Sequence, residues 1–114
     1  MNKSLALLIT ALSFTSLNVL ASERAEQGWQ LIEQGALVVD VRTPQEFQIE
    51  HLDNAINYPL SEIAENFANI DKNKSIVVYC RSGARSGRAY DFLVSQGFTN
   101  VHNAGGLEEV QQSR

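Results

Sequence analysis

The stretch Ser75-Ile76-Val77-Val78-Tyr79 constrains this chain most: it is apolar at successive positions rather than alternate ones, and rich in β-branched residues. Such a run reads as a strand covered on both faces, the habit of a parallel sheet flanked by helices. Ala36-Leu37-Val38-Val39-Asp40-Val41 has the same character. Helical patterns lie between the strands. Ser22 to Gly35 puts Ala25, Trp29 and Ile32 on one face, with Gly35 as the stop. Thr43-Pro44-Gln45-Glu46 is a helix start, with Thr43 as N-cap, Pro44 at the first helical position and Glu46 completing a capping box. That helix turns Phe47 and Leu52 toward the core and ends near Glu50-His51. Ile56-Asn57-Tyr58 follows as a brief strand, and Ser61 is placed as the cap of a helix bearing Ile63, Phe67 and Ile70.

Beyond the central strand, a helix from about Ala84 to Gln96 points Ala89, Phe92 and Leu93 inward and stops at Gly97. Thr99 to His102 reads as the last strand, Asn103-Ala104-Gly105-Gly106 as a turn, and Leu107 to Gln111 as a closing helix. Strands and helices alternate four times. This predicts one α/β domain over residues 22–114, with a central parallel sheet, helices on both faces and right-handed crossovers.

Ligands of such sheets bind beyond the carboxyl ends of the strands. There the central strand delivers Cys80, the one cysteine of the chain, into Arg81-Ser82-Gly83-Ala84-Arg85 and the start of a helix. A thiol at a helix N-terminus among cations has a lowered pKa, and backbone N–H groups converging there form an anion cradle. Cys80 is therefore read as a nucleophile that needs no adjacent base. Arg81, Arg85 and Arg88, with Arg42 from the end of the first strand, concentrate positive charge around it and point to an anionic substrate. The plainer alternative pairs these arginines with Asp40, Glu46 and Asp91. His51 and His102 are assigned structural roles, and one cysteine with two scattered histidines gives no basis for a metal site or other cofactor.

Residues 1–21 read as a secretory leader: Lys3 precedes an apolar run, and Val19-Leu20-Ala21 sets cleavage after Ala21. Thr10, Ser13, Thr15, Ser16 and Asn18 make it a poor membrane span. Cleavage removes Lys3, one of 9 basic residues, and none of the 13 acids, so the formal charge goes from −4 to −5. That balance gives no support to binding nucleic acid or an anionic membrane. The expected product is an exported protein, periplasmic and monomeric by default.

Asp40-Val41-Arg42, Glu46-Phe47, His51-Leu52, Asn54-Ala55-Ile56-Asn57-Tyr58-Pro59, Cys80-Arg81-Ser82-Gly83-Ala84-Arg85-Ser86 and Ala104-Gly105-Gly106, in that order, resemble the rhodanese family. The likeness spans about residues 24–112 and is nearest to its small exported sulfurtransferases of the phage-shock type. It implies a single rhodanese-like domain and thiosulfate:cyanide sulfurtransferase chemistry. In that chemistry Cys80 takes the outer sulfur of thiosulfate as a persulfide, sulfite leaves, and a thiophilic acceptor such as cyanide removes the sulfur. The resemblance assigns the cradle to Arg81, Ser82, Gly83, Ala84 and Arg85, and carries Arg42, oriented by Asp40, as a supporting element.

Three rivals share parts of this pattern. Tyrosine-phosphatase-type and arsenate-reductase sites also set a cysteine at a strand end, but they place five residues before the arginine. Here Arg85 follows Cys80 after four, a loop short for a tetrahedral phosphoryl group. A redox sensor would carry a resolving cysteine, and a non-catalytic binding module has no use for Cys80. A persulfide carrier or a redox or binding module working with another donor remains the main alternative.

Overall fold

The computed structural model describes residues 23–114. The expected leader, its cleavage after Ala21, and Ser22 lie outside the described residues. Helix α1 (23–33) leads into β1 (Leu37–Asp40), α2 (Pro44–Ile49), β2 (Ile56–Asn57), a 3-10 turn (Leu60–Glu62), α3 (Ile63–Asn66), β3 (Ile76–Cys80), α4 (Ala84–Ser95), β4 (Val101–Gly106) and α5 (Leu107–Gln112). The strands form one parallel sheet in the order β2-β1-β3-β4.

β3 is buried at all five positions, as a strand apolar on both faces must be. Its alternate residues serve two cores. Ile76, Val78 and Cys80 join Val39, Val41, Ile63, Phe67, Ala89, Leu93 and Phe98 beneath α3 and α4. Val77 and Tyr79 join Ala25, Val38, Leu52, Ala104, Leu107 and Val110 beneath α1 and α5. Helices thus cover both faces, and the indole Nε1 of Trp29 ties α1 to α5 by donating to the Val110 carbonyl at 2.7 Å. Because the chain winds from β1 outward to β2 and then from β3 outward to β4, the order reverses between β1 and β3. A crevice opens at such a reversal beyond the carboxyl ends. Arg42 and Cys80 are placed there.

Local details follow the chemistry of the residues. Thr43 and Glu46 form the capping box of α2, Thr43 Oγ1 accepting from the Glu46 N–H and Glu46 Oε1 accepting from the Thr43 N–H. Gly35 and Gly97 take positive φ at the ends of α1 and α4. The structure departs from the sequence pattern near α2 and α3. Ser61 caps nothing: it falls inside the 3-10 turn that Pro59 starts, α3 has only four residues, and neither short helix has a side-chain cap. Leu52 is buried, but from the loop after α2 rather than from the helix, and Phe47 is only part-buried, stacked on His51 and belonging to neither core.

Asn103-Ala104-Gly105-Gly106 is not a turn but the second half of β4. The ladder pairs Val78 with Asn103 and then Tyr79 with Gly105, so Ala104 is an inserted residue and the strand is bulged. Gly105 takes φ +101 there, a conformation that glycine adopts at no steric cost. A glycine pair marks a turn and a bulge alike. The bulge breaks the ladder by one residue and lets it resume at Tyr79 and Gly105, re-aiming Asn103.

Candidate active site

Cys80 is the last residue of β3, and its side chain lies on the face that α4 covers. The loop reverses over it within three residues because Gly83, at φ +97, serves as the N-cap of α4. A glycine cap offers no side chain to the first N–H groups of the helix, so these donors are left for the sulfur. The Gly83 N–H donates to Cys80 Sγ at 3.0 Å and Ser86 Oγ lies at 3.3 Å. Burial pushes the thiol up, yet hydrogen bonds from the Ser86 hydroxyl and the Ser86, Ser82 and Gly83 amides outweigh it, leaving the thiol below its ordinary value of 9.0. Cys80 is nonetheless wholly buried, at 0% exposure: its own loop roofs it.

The arginines have distinct placements. Arg42 is buried and locked: its N–H, Nε and Nη2 all donate to the Asp40 carboxylate, at 2.9 to 3.1 Å and 2.7 Å, and Nη2 also reaches the Glu50 carbonyl. Asn57 Nδ2 donates to the Asp40 and Arg42 carbonyls, fixing the same strand ends. Arg85 is bidentate to Glu46, at 2.7 and 2.9 Å, and so joins α4 to α2. Arg81 is exposed and makes no ion pair among the described residues. A groove of about 630 Å³ opens beside it between α2 and α5, with Arg42, Glu46, Ile49, Leu107 and Glu108 in its walls. Arg88 is exposed on α4. Ser82 Oγ accepts a long 3.4 Å contact from the Ala84 N–H within the loop. His51 stacks on Phe47 and bonds its carbonyl, and His102 bonds the Arg24 carbonyl; both hold structure.

Sequence reasoning missed three residues. Arg24, near the start of α1, is bidentate to Glu109 of α5 at 2.8 Å and donates to the Ser82 carbonyl at 3.2 Å. A Cβ on Gly83 would come within 2.8 Å of its guanidinium. These partners are 85 residues apart, and no local spacing could have joined them. Asn103, aimed by the bulge, donates from Nδ2 to the Gly83 carbonyl at 3.2 Å and accepts at Oδ1 from the Gly105 N–H at 3.0 Å. Gly106 completes the floor: a Cβ there would run into the Arg81 carbonyl.

Such a site can hold a sulfur anion on amide donors, and offers Arg81 to an incoming anion. The profile of the rhodanese-like domain matches residues 24–113. The chain is 46% identical over 74 residues to thiosulfate sulfurtransferase PspE of Escherichia coli strain K12, covering 63% of this chain and 71% of that one. It is 42% identical over 84 residues to thiosulfate sulfurtransferase GlpE of Pseudomonas savastanoi pv. phaseolicola, covering 73% and 79%. Among solved structures it resembles a rhodanese with anions from E. coli (43% identity, TM-score 0.61, 66% of this chain and 91% of that chain). It also resembles the human single-domain sulfurtransferase TSTD1 (26% identity, TM-score 0.65, 75% and 89%).

Proposed function

This chain belongs to the rhodanese family and is a sulfurtransferase, and from that premise we propose that it draws the sulfane sulfur of thiosulfate onto Cys80 and passes it to a thiophilic acceptor such as cyanide. The observation that carries this reading is the position of Cys80 Sγ under the uncapped N-terminus of α4, with the Gly83 N–H at 3.0 Å. In the first half-reaction the Cys80 thiolate attacks the outer sulfur of thiosulfate. The S–S bond of the donor breaks, its electron pair leaves with sulfite, and Cys80 holds a persulfide anion. In the second, cyanide attacks the outer sulfur, thiocyanate leaves, and the pair of the new S–S bond returns to Cys80 as thiolate. No proton or redox partner is needed.

Every species in this cycle is an anion, which favours amide donors and a cationic approach. Arg81 is the cation we assign to the approaching donor, while Ser82, Gly83, Ala84 and Arg85 form the cradle, and Arg42 on Asp40 stiffens the strand ends around it. A phosphatase reading has less behind it, since Arg85 is held by Glu46. We also propose export to the periplasm through residues 1–21, on the leader-like pattern ending at Val19-Leu20-Ala21.

Mass spectrometry of the protein after thiosulfate exposure tests the proposal. The expected result is one added sulfur atom on Cys80, removed by cyanide as thiocyanate, with no adduct in Cys80→Ser. Retention of full thiocyanate production in that variant, or p-nitrophenyl phosphate turnover without sulfur transfer, would overturn it.

A further inference from the structure

Ser86 Oγ lies 3.3 Å from Cys80 Sγ and 2.8 Å from Asn103 Oδ1. A hydroxyl has one hydrogen. The orientation of the Asn103 amide is set by backbone groups of fixed polarity: Nδ2 meets the Gly83 carbonyl and Oδ1 meets the Gly105 N–H. The atom facing Ser86 is therefore an acceptor and cannot supply the missing hydrogen. Ser86 is wholly buried, so water does not settle the competition.

We propose that the Ser86 hydroxyl is a one-hydrogen switch that follows the charge on Cys80 Sγ. When Cys80 is a thiol, its S–H donates to Ser86 Oγ and the hydroxyl donates to Asn103 Oδ1. When the proton leaves for solvent, the hydroxyl turns its hydrogen to the sulfur and Asn103 keeps only the Gly105 N–H. Ser86 is thus a positioning residue that stabilises the thiolate, and Asn103 is the counterweight that parks its hydrogen otherwise. Other charges facing the thiol hold steady through neutral pH: Arg24 from α1, paired with Glu109 of α5, and Arg85 from α4, paired with Glu46 of α2.

A consequence rests on the sulfur-transfer proposal above. In a persulfide the charge sits on the outer sulfur, Sγ is neutral, and the hydroxyl returns to Asn103. Removal of the outer sulfur brings charge back to Sγ, and Ser86 turns to meet it. Ser86 then assists departure of the Cys80 thiolate from the persulfide in the second half-reaction.

The test needs no sulfur transfer for its first arm. The pH dependence of Cys80 alkylation by iodoacetamide is measured in the native protein, Ser86→Ala, Ser86→Thr and Asn103→Asp. Loss of a hydrogen bond to a charged sulfur should raise the midpoint by about one pH unit in Ser86→Ala. Ser86→Thr should stay near the native midpoint, and Asn103→Asp, a stronger competitor for the hydrogen, should raise it. In the native protein, whose sole thiol gives one S–H stretching band, that band should sit at the lower frequency of a donating S–H. An unchanged midpoint in folded Ser86→Ala, or a native band at the free-thiol position, overturns the switch. In the second arm, cyanide should discharge the persulfide about tenfold more slowly in Ser86→Ala, since tenfold corresponds to about 1.4 kcal/mol. Altered midpoints without any persulfide would leave the switch standing and overturn the sulfur-transfer proposal instead.

Discussion

At the scale of single residues, carboxylates decide what the arginines are free to do. Arg42 and Arg85 look alike in sequence, yet each is held by a carboxylate, Asp40 and Glu46, and only Arg81 of the loop is unpaired among the described residues. The pairing was readable as an alternative, because Asp40 stands two residues before Arg42. Arg24 with Glu109 was not, because charges far apart on two amphipathic helices look like solvated faces. Glu46 is pulled from 4.5 to about 2, by Arg85 first and then by the amide and hydroxyl of Thr43, against burial. A carboxyl depressed on folding contributes stability that is present above its unfolded value and lost as pH falls. Acid titration of unfolding should therefore show a loss between about pH 4.5 and 2 that is blunted in Glu46→Gln. At neutral pH this variant should cost about 1 kcal/mol, as its pair is partly exposed and its capping contact is retained only in part. Identical acid profiles for the two proteins would show that the pair does not couple to folding.

At the scale of elements, strands and helix starts were legible because each depends on neighbouring residues. β1 and β3 follow from unbroken apolar runs, and α2 from Thr43-Pro44-Gln45-Glu46. The bulge in β4 was not legible: whether a Gly–Gly pair ends a strand or bends it depends on β3, whose Tyr79 and Cys80 pair with Gly105 and Gly106 from far upstream in the chain. With the bulge went the signal for Asn103, which in a turn would have faced solvent. Two glycine substitutions separate these roles. Gly106→Ala drives a Cβ into the Arg81 carbonyl and should cost about 1–3 kcal/mol with loss of sulfur transfer. Gly97→Ala, at φ +96 with nothing within 4 Å of the added carbon, should cost about 1 kcal/mol and leave activity per folded molecule unchanged. Denaturant titration beside thiocyanate assay measures both; equal losses of activity would remove the special place of Gly106.

At the scale of the whole molecule, the reversal of strand order between β1 and β3 places the thiol where two crossovers diverge, while four helical elements wall it in: α1 and α5 through Arg24 and Glu109, α2 and α4 through Glu46 and Arg85. The roof over Cys80 is thus tied to the frame on two sides, and the sulfur beneath it has no solvent exposure. This burial has a kinetic meaning. We expect a reagent to meet the sulfur only during a transient opening of residues 81–86, so that reactions with nothing else in common queue behind one conformational event. Alkylation by iodoacetamide and persulfide formation from thiosulfate, each followed at rising reagent concentration, should level off at the same limiting rate. Two different ceilings, or none, would mean that the sulfur is reached without that opening. A shared ceiling would make the breathing of six residues, rather than the reactivity of any donor, the clock of the enzyme.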